Sequence, residues 1–300
     1  MRVGVIGGQW GRVHIAALKR LGLSTDVLVT RRQESARRIA AEEGIATFGT
    51  DVSLLDDCEL IVVASPNHTH SAYIQHFQGK KVICEKPLLA LSQHQNSELG
   101  KSYESAAVPC YVNYAFAFQP NIEAMTQLIE QGELGNINRV DVSYAIGFAG
   151  EHSMTEWLLE VAIHPLSWLA KAFGLFQVKC SRHIDTERLA IDYRIGDLEV
   201  AVTVSRCEVI SAWDITIGGD KGEASTGGRF APDTEWELMP CLHDGEEITT
   251  TIRKSPECPW FLANLRSVET ILRAWDGERN SSLFTASQAE RFELSLLPQE

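Results

Sequence analysis

The first 115 residues alternate short, continuous apolar segments with amphipathic ones. Runs such as Leu60-Ile-Val-Val63 are typical of strands buried on both faces, and we predict strands at 3–6, 26–30, 59–64, 80–84 and 109–113. Apolar residues recur at helical spacing after residue 11 and within 33–43, 68–78 and 93–106, and Gly44 ends one of these helices. The alternation of strand and helix predicts an α/β domain over 1–115 with a doubly wound parallel sheet.

The pattern changes near residue 115. We predict a helix at 121–131, a strand at 139–146 and a long helix at 155–173, followed by strand-like segments at 177–183, 188–195, 197–206, 208–217, 235–240 and 248–253. Hairpin residues such as Gly196-Asp197 separate several of these segments, which is typical of antiparallel pairing. Helices are predicted at 259–275 and 286–296. We therefore expect a second α/β domain over 116–300, built on a large, mostly antiparallel sheet.

The composition narrows the class of protein. Of the 300 residues, 44% are hydrophobic and 22% are charged, which suits a globular chain of two ordinary domains. The formal net charge of −13 would repel a phosphate backbone, so we expect no nucleic-acid partner. Seven scattered cysteines without a C-x-x-C pair argue against a disulfide framework or a zinc site. With no signal-peptide pattern and no apolar run of membrane-spanning length, we expect a cytoplasmic protein without membrane contact.

A glycine-rich turn joins the first predicted strand to the first helix. Gly7, Gly8 and Gly11 form the turn, with Gln9 and Trp10 between them. Glycine lets the backbone approach a pyrophosphate, which binds at the positive end of the helix dipole. We therefore predict that residues 7–11 bind a dinucleotide, although the turn is one residue shorter than G-x-G-x-x-G and would also suit an ordinary strand-to-helix connection.

The end of the second predicted strand bears on which dinucleotide would bind. NAD sites usually have Asp or Glu there to accept from the ribose 2′-hydroxyl, whereas this chain has Thr30, Arg31 and Arg32. Arginine can pair bidentately with a 2′-phosphate, so the segment favours NADP(H) over NAD(H). The alternative is that both arginines are solvated charges that lead into the next helix.

Glu85-Lys86-Pro87 directly follows a predicted buried strand, at the sheet edge where ligands bind. Proline restricts Lys86 to an extended backbone, which would hold its side chain over that edge. Burial beside a positively charged nicotinamide disfavours the ammonium form of a lysine and suits it to exchange a proton with a substrate hydroxyl. Lys86 is therefore a candidate catalytic residue, although the three residues taken alone would more often form a surface turn.

A histidine and a carboxylate lie four residues apart in the predicted long helix. Glu160 and His164 would share a helix face, and a histidine oriented by a carboxylate can act as an acid, a base or a substrate ligand. The alternative is a core histidine near a helix bend at Pro165.

The segment from Ser65 to His70 follows a buried strand and is expected at the same sheet edge as Lys86. Asn67 or Thr69 could simply cap a helix. His68 and His70 have no third ligand at a characteristic spacing, so we expect no metal.

In this order, the motifs resemble the Gfo/Idh/MocA oxidoreductase family over nearly the whole chain. The resemblance implies an N-terminal Rossmann domain and a C-terminal α/β domain whose large open sheet forms a homodimer or homotetramer interface. It implies that Lys86 is the catalytic lysine, that His164 binds the substrate or shares its proton, and that Glu160 orients His164. The positions that match the family's cofactor loops are Gly7, Gly8, Gly11, Ser65, Asn67 and His70, and Arg31 matches a residue of NADP-preferring members. Glu85 and Lys86, in the catalytic motif, are also expected to contact the cofactor.

The chain also departs from the family pattern. Ala162 and Ser167 replace the usual glycine and aspartate around His164, and Ala117 stands where many members have arginine. We expect an NADP(H)-dependent oxidoreductase that moves a hydride to or from a hydroxyl or carbonyl carbon of a small polar, sugar-like substrate. Two alternatives stay open: reduction of an imine or a biliverdin-type conjugated bond, and a catalytically silent protein that senses NAD(P).

Overall fold

The computed structural model describes residues 1–90, 108–146, 156–174, 180–185, 188–195, 197–206, 211–230, 237–249, 252–253 and 259–296. The helix predicted at 93–106 lies outside these ranges. The chain divides into two compact units, the first combining Met1–Ala115 with Asn264–Leu294 and the second combining Phe116–Ala263 with Ser295–Glu300. The division expected from the sequence placed all of 116–300 in the second domain, and the structure differs from it in residues 264–294.

The elements of the described residues are as follows. The strands are β1 (Val3–Ile6), β2 (Val27–Val29), β3 (Thr47–Gly49), β4 (Leu60–Val63), β5 (Lys81–Glu85), β6 (Cys110–Asn113), β7 (Ile137–Ile146), β8 (Cys180–Asp185), β9 (Arg188–Ile195), β10 (Leu198–Arg206), β11 (Ser211–Gly219), β12 (Glu223–Phe230), β13 (Glu237–Leu238), β14 (Leu242–His243), β15 (Glu246–Glu247), β16 (Ile252–Arg253) and β17 (Phe284–Thr285). The α-helices are α1 (Trp10–Arg20), α2 (Gln33–Glu43), α3 (His70–His76), α4 (Pro120–Gln131), α5 (Ile163–Phe173), α6 (Pro259–Trp275) and α7 (Ala286–Leu296). Short 3₁₀ segments occur at Val52–Leu55, Asn67–Thr69 and Ala115–Phe118, and a π-helical segment at Trp157–Ala162.

The first unit is built on a sheet with the strand order β17-β6-β5-β4-β1-β2-β3. All neighbouring strands are parallel except β17 and β6, which are antiparallel. Every residue of β1, β2 and β4 is buried, as their apolar runs predicted. The predicted doubly wound parallel sheet is confirmed. Its strand order reverses between β1 and β4, the position at which such sheets bind ligands.

Residues 264–294 belong to the first unit because they extend its sheet and fill its core. Phe284 in β17 pairs with Val112 in β6. The Phe284 ring lies 4.8 Å from the ring of Tyr114 and 5.3 Å from that of Phe292. Trp275, at the end of α6, donates from Nε1 to the carbonyl oxygen of Pro109 at 2.9 Å. The unit is thus assembled from two segments that are far apart in the sequence.

The second unit is built on a larger mixed sheet. Its strand order is β15-β14-β12-β11-β7-β10-β9-β8, with β13 pairing β12 and β16. The strands are antiparallel except for β7 and β10, which run parallel. Along β10 the buried residues alternate with more exposed ones, as expected of a sheet with one face on the core. The predicted C-terminal α/β domain with a mostly antiparallel sheet is confirmed.

The long helix predicted at 155–173 is not uniform. Its first part is the π-helical segment Trp157–Ala162, and α5 begins only at Ile163. Pro165 is therefore the third residue of α5, directly after the π-helical segment. The irregular backbone expected near Pro165 lies just before it. Among the helices of the described residues, none is long and apolar enough to cross a bilayer.

Candidate functional site

The glycine turn between β1 and α1 packs directly against the neighbouring strand. Gly7 has a φ of +119°, and a Cβ placed on it would lie 2.1 Å from the carbonyl oxygen of Ala64. A Cβ on the buried Gly11 would lie 3.1 Å from the side chain of Val5, so this glycine lets α1 pack on β1. No side chain caps the start of α1, and its first turn contains no acidic residue. The N-terminus of α1 is therefore suited to an anion.

A cleft of about 880 Å³ opens at this turn. Its volume is within the range of cofactor sites in proteins. The predicted site residues that line it are Gly7, Gly8, Gln9, Trp10, Thr30, Arg31, Arg32 and Ser65. Arg31 and Arg32 are exposed at the end of β2, and Thr30 is buried, with its hydroxyl donating to the carbonyl oxygen of Arg32 at 2.8 Å. The uncapped helix terminus and the size of the cleft fit a dinucleotide.

Hydrogen bonds order the Ser65–Thr69 wall of the cleft. The Thr69 hydroxyl donates to the carbonyl oxygen of Pro66 and lies 2.7 Å from the Ser65 hydroxyl. Thr69 is the N-cap residue of α3 but makes no side-chain cap, and the N-cap position before Asn67 is held by Pro66. No group of three His, Cys, Asp or Glu side chains in the described part of the chain is arranged to hold a metal ion.

His70 connects this wall to the segment that carries Lys86. The ring is buried, with Nδ1 2.9 Å from the carbonyl oxygen of Pro87 and Nε2 2.7 Å from that of Ser65. Burial lowers the pKa of His70, although both carbonyl oxygens favour the protonated ring. The predicted cofactor-binding residues that do not line the cleft are Gly11, Asn67, His70, Glu85 and Lys86. His70 instead connects two loops through its ring nitrogens.

Glu85, at the end of β5, is the centre of a buried polar network. Its Oε1 accepts from Nδ2 of Asn113 at 2.7 Å and lies 2.6 Å from Nε2 of the fully buried His14. Its Oε2 accepts from the backbone N–H of Lys86 at 3.3 Å. Burial would raise the pKa of Glu85, but the bonds from His14 and Asn113 outweigh it and hold the pKa below the ordinary value. An ionised carboxylate therefore holds the backbone N–H of Lys86 in place.

The backbone that follows Lys86 is held by a residue from α7. The peptide bond between Lys86 and Pro87 is cis. The backbone N–H groups of Leu88 and Leu89 donate to Oε1 and Oε2 of Glu293 at 2.6 and 3.0 Å. Tyr114 donates its hydroxyl to Oε1 of Glu293 at 2.6 Å. These contacts fix the segment that presents Lys86, which is itself half-buried.

Sequence reasoning did not find the residues that hold the Lys86 segment. They are His14, Asn113, Tyr114, Asn264 and Glu293, of which Asn113 donates to Oδ1 of Asn264 at 2.6 Å. The only signal available was a polar residue at an apolar position of a helix or strand. Such a position predicts burial but not the partner, because the partners lie up to about two hundred residues away in sequence.

His164 lies in an aromatic environment within the second unit. Its ring centre is 4.9 Å from that of Trp260 and 6.1 Å from that of Tyr144, on which it stacks. Its carbonyl oxygen accepts from the hydroxyl of Ser167 at 2.8 Å. Glu160 is exposed and lies in the π-helical segment, so the α-helical i, i+4 spacing assumed for the pair does not apply.

Comparison with known proteins identifies the first unit. Residues 1–114 match the model of the Gfo/Idh/MocA oxidoreductases, a family described by its NAD-binding Rossmann fold. Residues 1–114 thus match the NAD-binding Rossmann domain of the family that the motifs of this chain resemble.

Individual relatives match over part of their length. The chain is 30% identical over 149 residues to 4-carboxy-2-hydroxymuconate-6-semialdehyde dehydrogenase of a Sphingobium species, and the aligned region covers 47% of each chain. It is 28% identical over 160 residues to glucose-6-phosphate 3-dehydrogenase of Bacillus subtilis, which covers 52% of this chain and 45% of that one. The chain thus spans about half the length of these curated relatives. A solved structure of a probable dehydrogenase from Thermotoga maritima superposes with a TM-score of 0.78, covering 98% of this chain and 94% of that one at 17% identity, so the fold is shared.

The close packing of the glycine turn gives a stability prediction. Gly7→Ala should lower the free energy of unfolding by more than about 1 kcal/mol, because a side chain at this φ is strained and would collide with Ala64. Gly8→Ala is the matched control, since its Cβ would make an ordinary contact 3.4 Å from Ile39. Urea unfolding followed by circular dichroism measures both variants. Equal stability of Gly7→Ala and Gly8→Ala would contradict the packing of the turn on the end of β4.

Proposed function

We propose that this protein is an NADP(H)-dependent oxidoreductase that acts on a hydroxyl or carbonyl carbon of a small polar, sugar-like substrate. The proposal is carried by one observation within the first unit. Lys86 is held at the end of β5, and the same unit contains a cleft that fits a dinucleotide. Among the relatives, glucose-6-phosphate 3-dehydrogenase is named for a sugar substrate, which supports the substrate class. When bound, the nicotinamide would supply or accept the hydride.

The lining of the cleft supports NADP(H) over NAD(H). Arg31 and Arg32 are joined there by Arg38 and Ser35 from α2, and none of the described residues that line the cleft is acidic. A ribose 2′-phosphate would therefore meet guanidinium groups and no carboxylate. The backbone N–H groups at the start of α1 hold the pyrophosphate in this proposal, and Asn67 stands beside the cleft on the short helix that follows Ser65.

The proton is handled by Lys86. Its side chain donates a proton to the oxygen of a carbonyl that is reduced, or accepts one from a hydroxyl that is oxidised. The network around Glu85 keeps the lysine backbone fixed, so proton transfer occurs from a preorganised position. His164 binds the substrate hydroxyl or shares its proton, with its ring orientation restricted by Trp260 and Tyr144, and Glu160 remains the proposed partner that orients it.

We further propose that the second sheet associates with a second copy of the chain. Its exposed face carries charges of both signs in close array, with Arg139 2.9 Å from Asp141 and 3.2 Å from Glu223. The neighbouring strand β10 adds smaller residues beside them, with Ala201 paired to Asp141 and Thr203 two residues further along. A face that carries charges of both signs can complement itself across a two-fold axis.

Cofactor preference is tested by titration. NADPH should bind more tightly than NADH, and Arg31→Ala should weaken NADPH binding by about tenfold while leaving NADH unchanged, because only NADPH carries the 2′-phosphate. Cofactor fluorescence measures both affinities. Arg37→Ala is the control, since Arg37 is exposed on α2 and does not line the cleft. Tighter binding of NADH would make the preference wrong, and binding of neither would favour a protein without oxidoreductase activity.

The role of Lys86 is tested by turnover. Lys86→Ala should lower the rate with a substrate found by screening sugars, polyols and cyclic imines by about a hundredfold or more, because a positioned acid–base group contributes at least that much. NADPH affinity should change far less than the rate, since Lys86 is only one of the residues expected to contact the cofactor. Lys19→Ala, an exposed lysine on α1, is the matched control. A rate within about tenfold of the unsubstituted protein would contradict a proton-transfer role.

Assembly is tested by sedimentation. The protein should sediment as a dimer or tetramer at micromolar concentration, and Ala201→Arg on the proposed face should shift it to the monomer, because the much larger side chain would collide with the opposing copy. Glu246→Arg, on the short strand β15, is the control. Unchanged sedimentation of Ala201→Arg would place any self-association elsewhere.

A further inference from the structure

A second buried carboxylate contacts the Lys86 segment, at the residues that follow the lysine. Glu293 has no solvent-exposed surface and lies in α7, about two hundred residues from the segment it contacts. Its Oε1 accepts from the N–H of Leu88 and the hydroxyl of Tyr114, and its Oε2 accepts from the N–H of Leu89. Both oxygen atoms are therefore engaged within three residues of Lys86.

We propose that Glu293 is a positioning residue for Lys86. It holds the backbone that follows the lysine, and its negative charge stabilises the ammonium form of the lysine. The inference rests on the proposed role of Lys86 in proton transfer. Only the ionised carboxylate can accept on both oxygens without also presenting a proton to these donors. The backbone of Leu88 and Leu89 is thus fixed by the charged state of one side chain.

The electrostatic surroundings of Glu293 make that charge responsive to pH. Burial raises the pKa of Glu293 to about 7, while the bonds from Tyr114, Leu88 and Leu89 and the charge of Lys86 limit the rise. The titratable groups that face it are Tyr114 and Cys84, whose pKa values burial raises well above their ordinary values, and Lys86. Tyr114 and Cys84 stay neutral near pH 7. Glu293 is therefore the group of this cluster that changes charge there.

The raised pKa also sets the direction in which Glu293 affects stability. Because the pKa of Glu293 is above its ordinary value in the folded protein, its contribution to stability is present at low pH and is lost as the pH rises through about 7. The ionised form is thus unfavourable for folding, although its hydrogen bonds reach the Lys86 segment. A carboxylate that opposes stability beside a proposed catalytic group is typical of a functional site.

The test measures the reactivity of Lys86 and needs neither cofactor nor substrate. The full-length protein and Glu293→Gln are labelled competitively with acetic anhydride at about pH 8.5 and about pH 5.5. Peptide mass spectrometry reports the acetylation of Lys86 relative to the exposed Lys19. At the higher pH, Glu293→Gln should label at Lys86 roughly three- to tenfold faster, because the ammonium form loses a neighbouring charge and the segment loses its anchor. At the lower pH, the two proteins should label equally, since Glu293 is then protonated and, like glutamine, carries no charge.

A matched variant and a second substitution keep the proposal falsifiable. Glu290→Gln, a buried glutamate on the same helix, should label like the unsubstituted protein at both pH values. If Glu293→Gln does not fold, Tyr114→Phe replaces it. Loss of the tyrosine hydrogen bond should raise the pKa of Glu293 and move the pH at which Lys86 labelling changes upward.

Two results would overturn the proposal. One is equal labelling of Glu293→Gln and the unsubstituted protein at about pH 8.5. The other is the same enhancement at both pH values, which would mean that Glu293 only packs. Turnover of Lys86→Ala separately tests the role of the lysine, so failure of the proposed function is distinguishable from failure of this inference.

Discussion

The buried carboxylate of Glu85 is the interaction on which the architecture of the first unit depends. A carboxylate in the interior of a protein is costly unless donors replace the water that it loses. Here the donors come from α1, from β6 and from the backbone of Lys86. The helix whose N-terminus faces the cleft and the segment that presents the lysine are therefore attached to one group. Removing any donor would leave a charge buried and disturb both parts of the site.

The local charge of the cleft differs from the charge of the whole protein. The chain has a formal net charge of −13, yet the described residues that line the cleft include arginines and no carboxylates. At physiological salt, exposed charges are screened over about 8 Å, so a bound phosphate senses the nearby arginines more than the distant acidic surface. An acidic protein can therefore bind a multiply charged cofactor while rejecting extended polyanions. Net charge excludes classes of partner without deciding what a pocket binds.

The sequence predicted those parts of the fold that depend on local pattern. The apolar runs of β1, β2 and β4 and the capped helix α2 lie at or within one residue of their predicted bounds. Strand β12 was not predicted, because its residues 223–230 have no apolar alternation, and their small side chains serve packing instead. A Cβ on Gly228 would lie 2.6 Å from Nε1 of Trp213. Likewise β17 has only two residues and exists through its pairing with β6.

The candidate site likewise contains residues that the sequence predicts and residues that it does not. The motif residues that line the cleft could be predicted because the carboxyl ends of parallel strands meet at one edge. His14 and Glu293 could not, because each is a single polar residue in an amphipathic helix whose meaning depends on a partner from another segment. His70 shows the converse. Its motif position suggested contact with a cofactor, whereas its ring lies buried between two backbone carbonyls.

The match to the family model ends at residue 114, but residues beyond 114 also surround Lys86. Asn264 and Glu293 reach the network from α6 and α7, outside the matched region. Two proteins could therefore share every motif of the Rossmann domain and still differ in the charge and rigidity that surround the lysine. Proton-transfer properties depend on that environment as much as on the lysine itself. The residues that tune the proposed chemistry of this chain are thus to be sought in its C-terminal helices, where the motifs give no guidance.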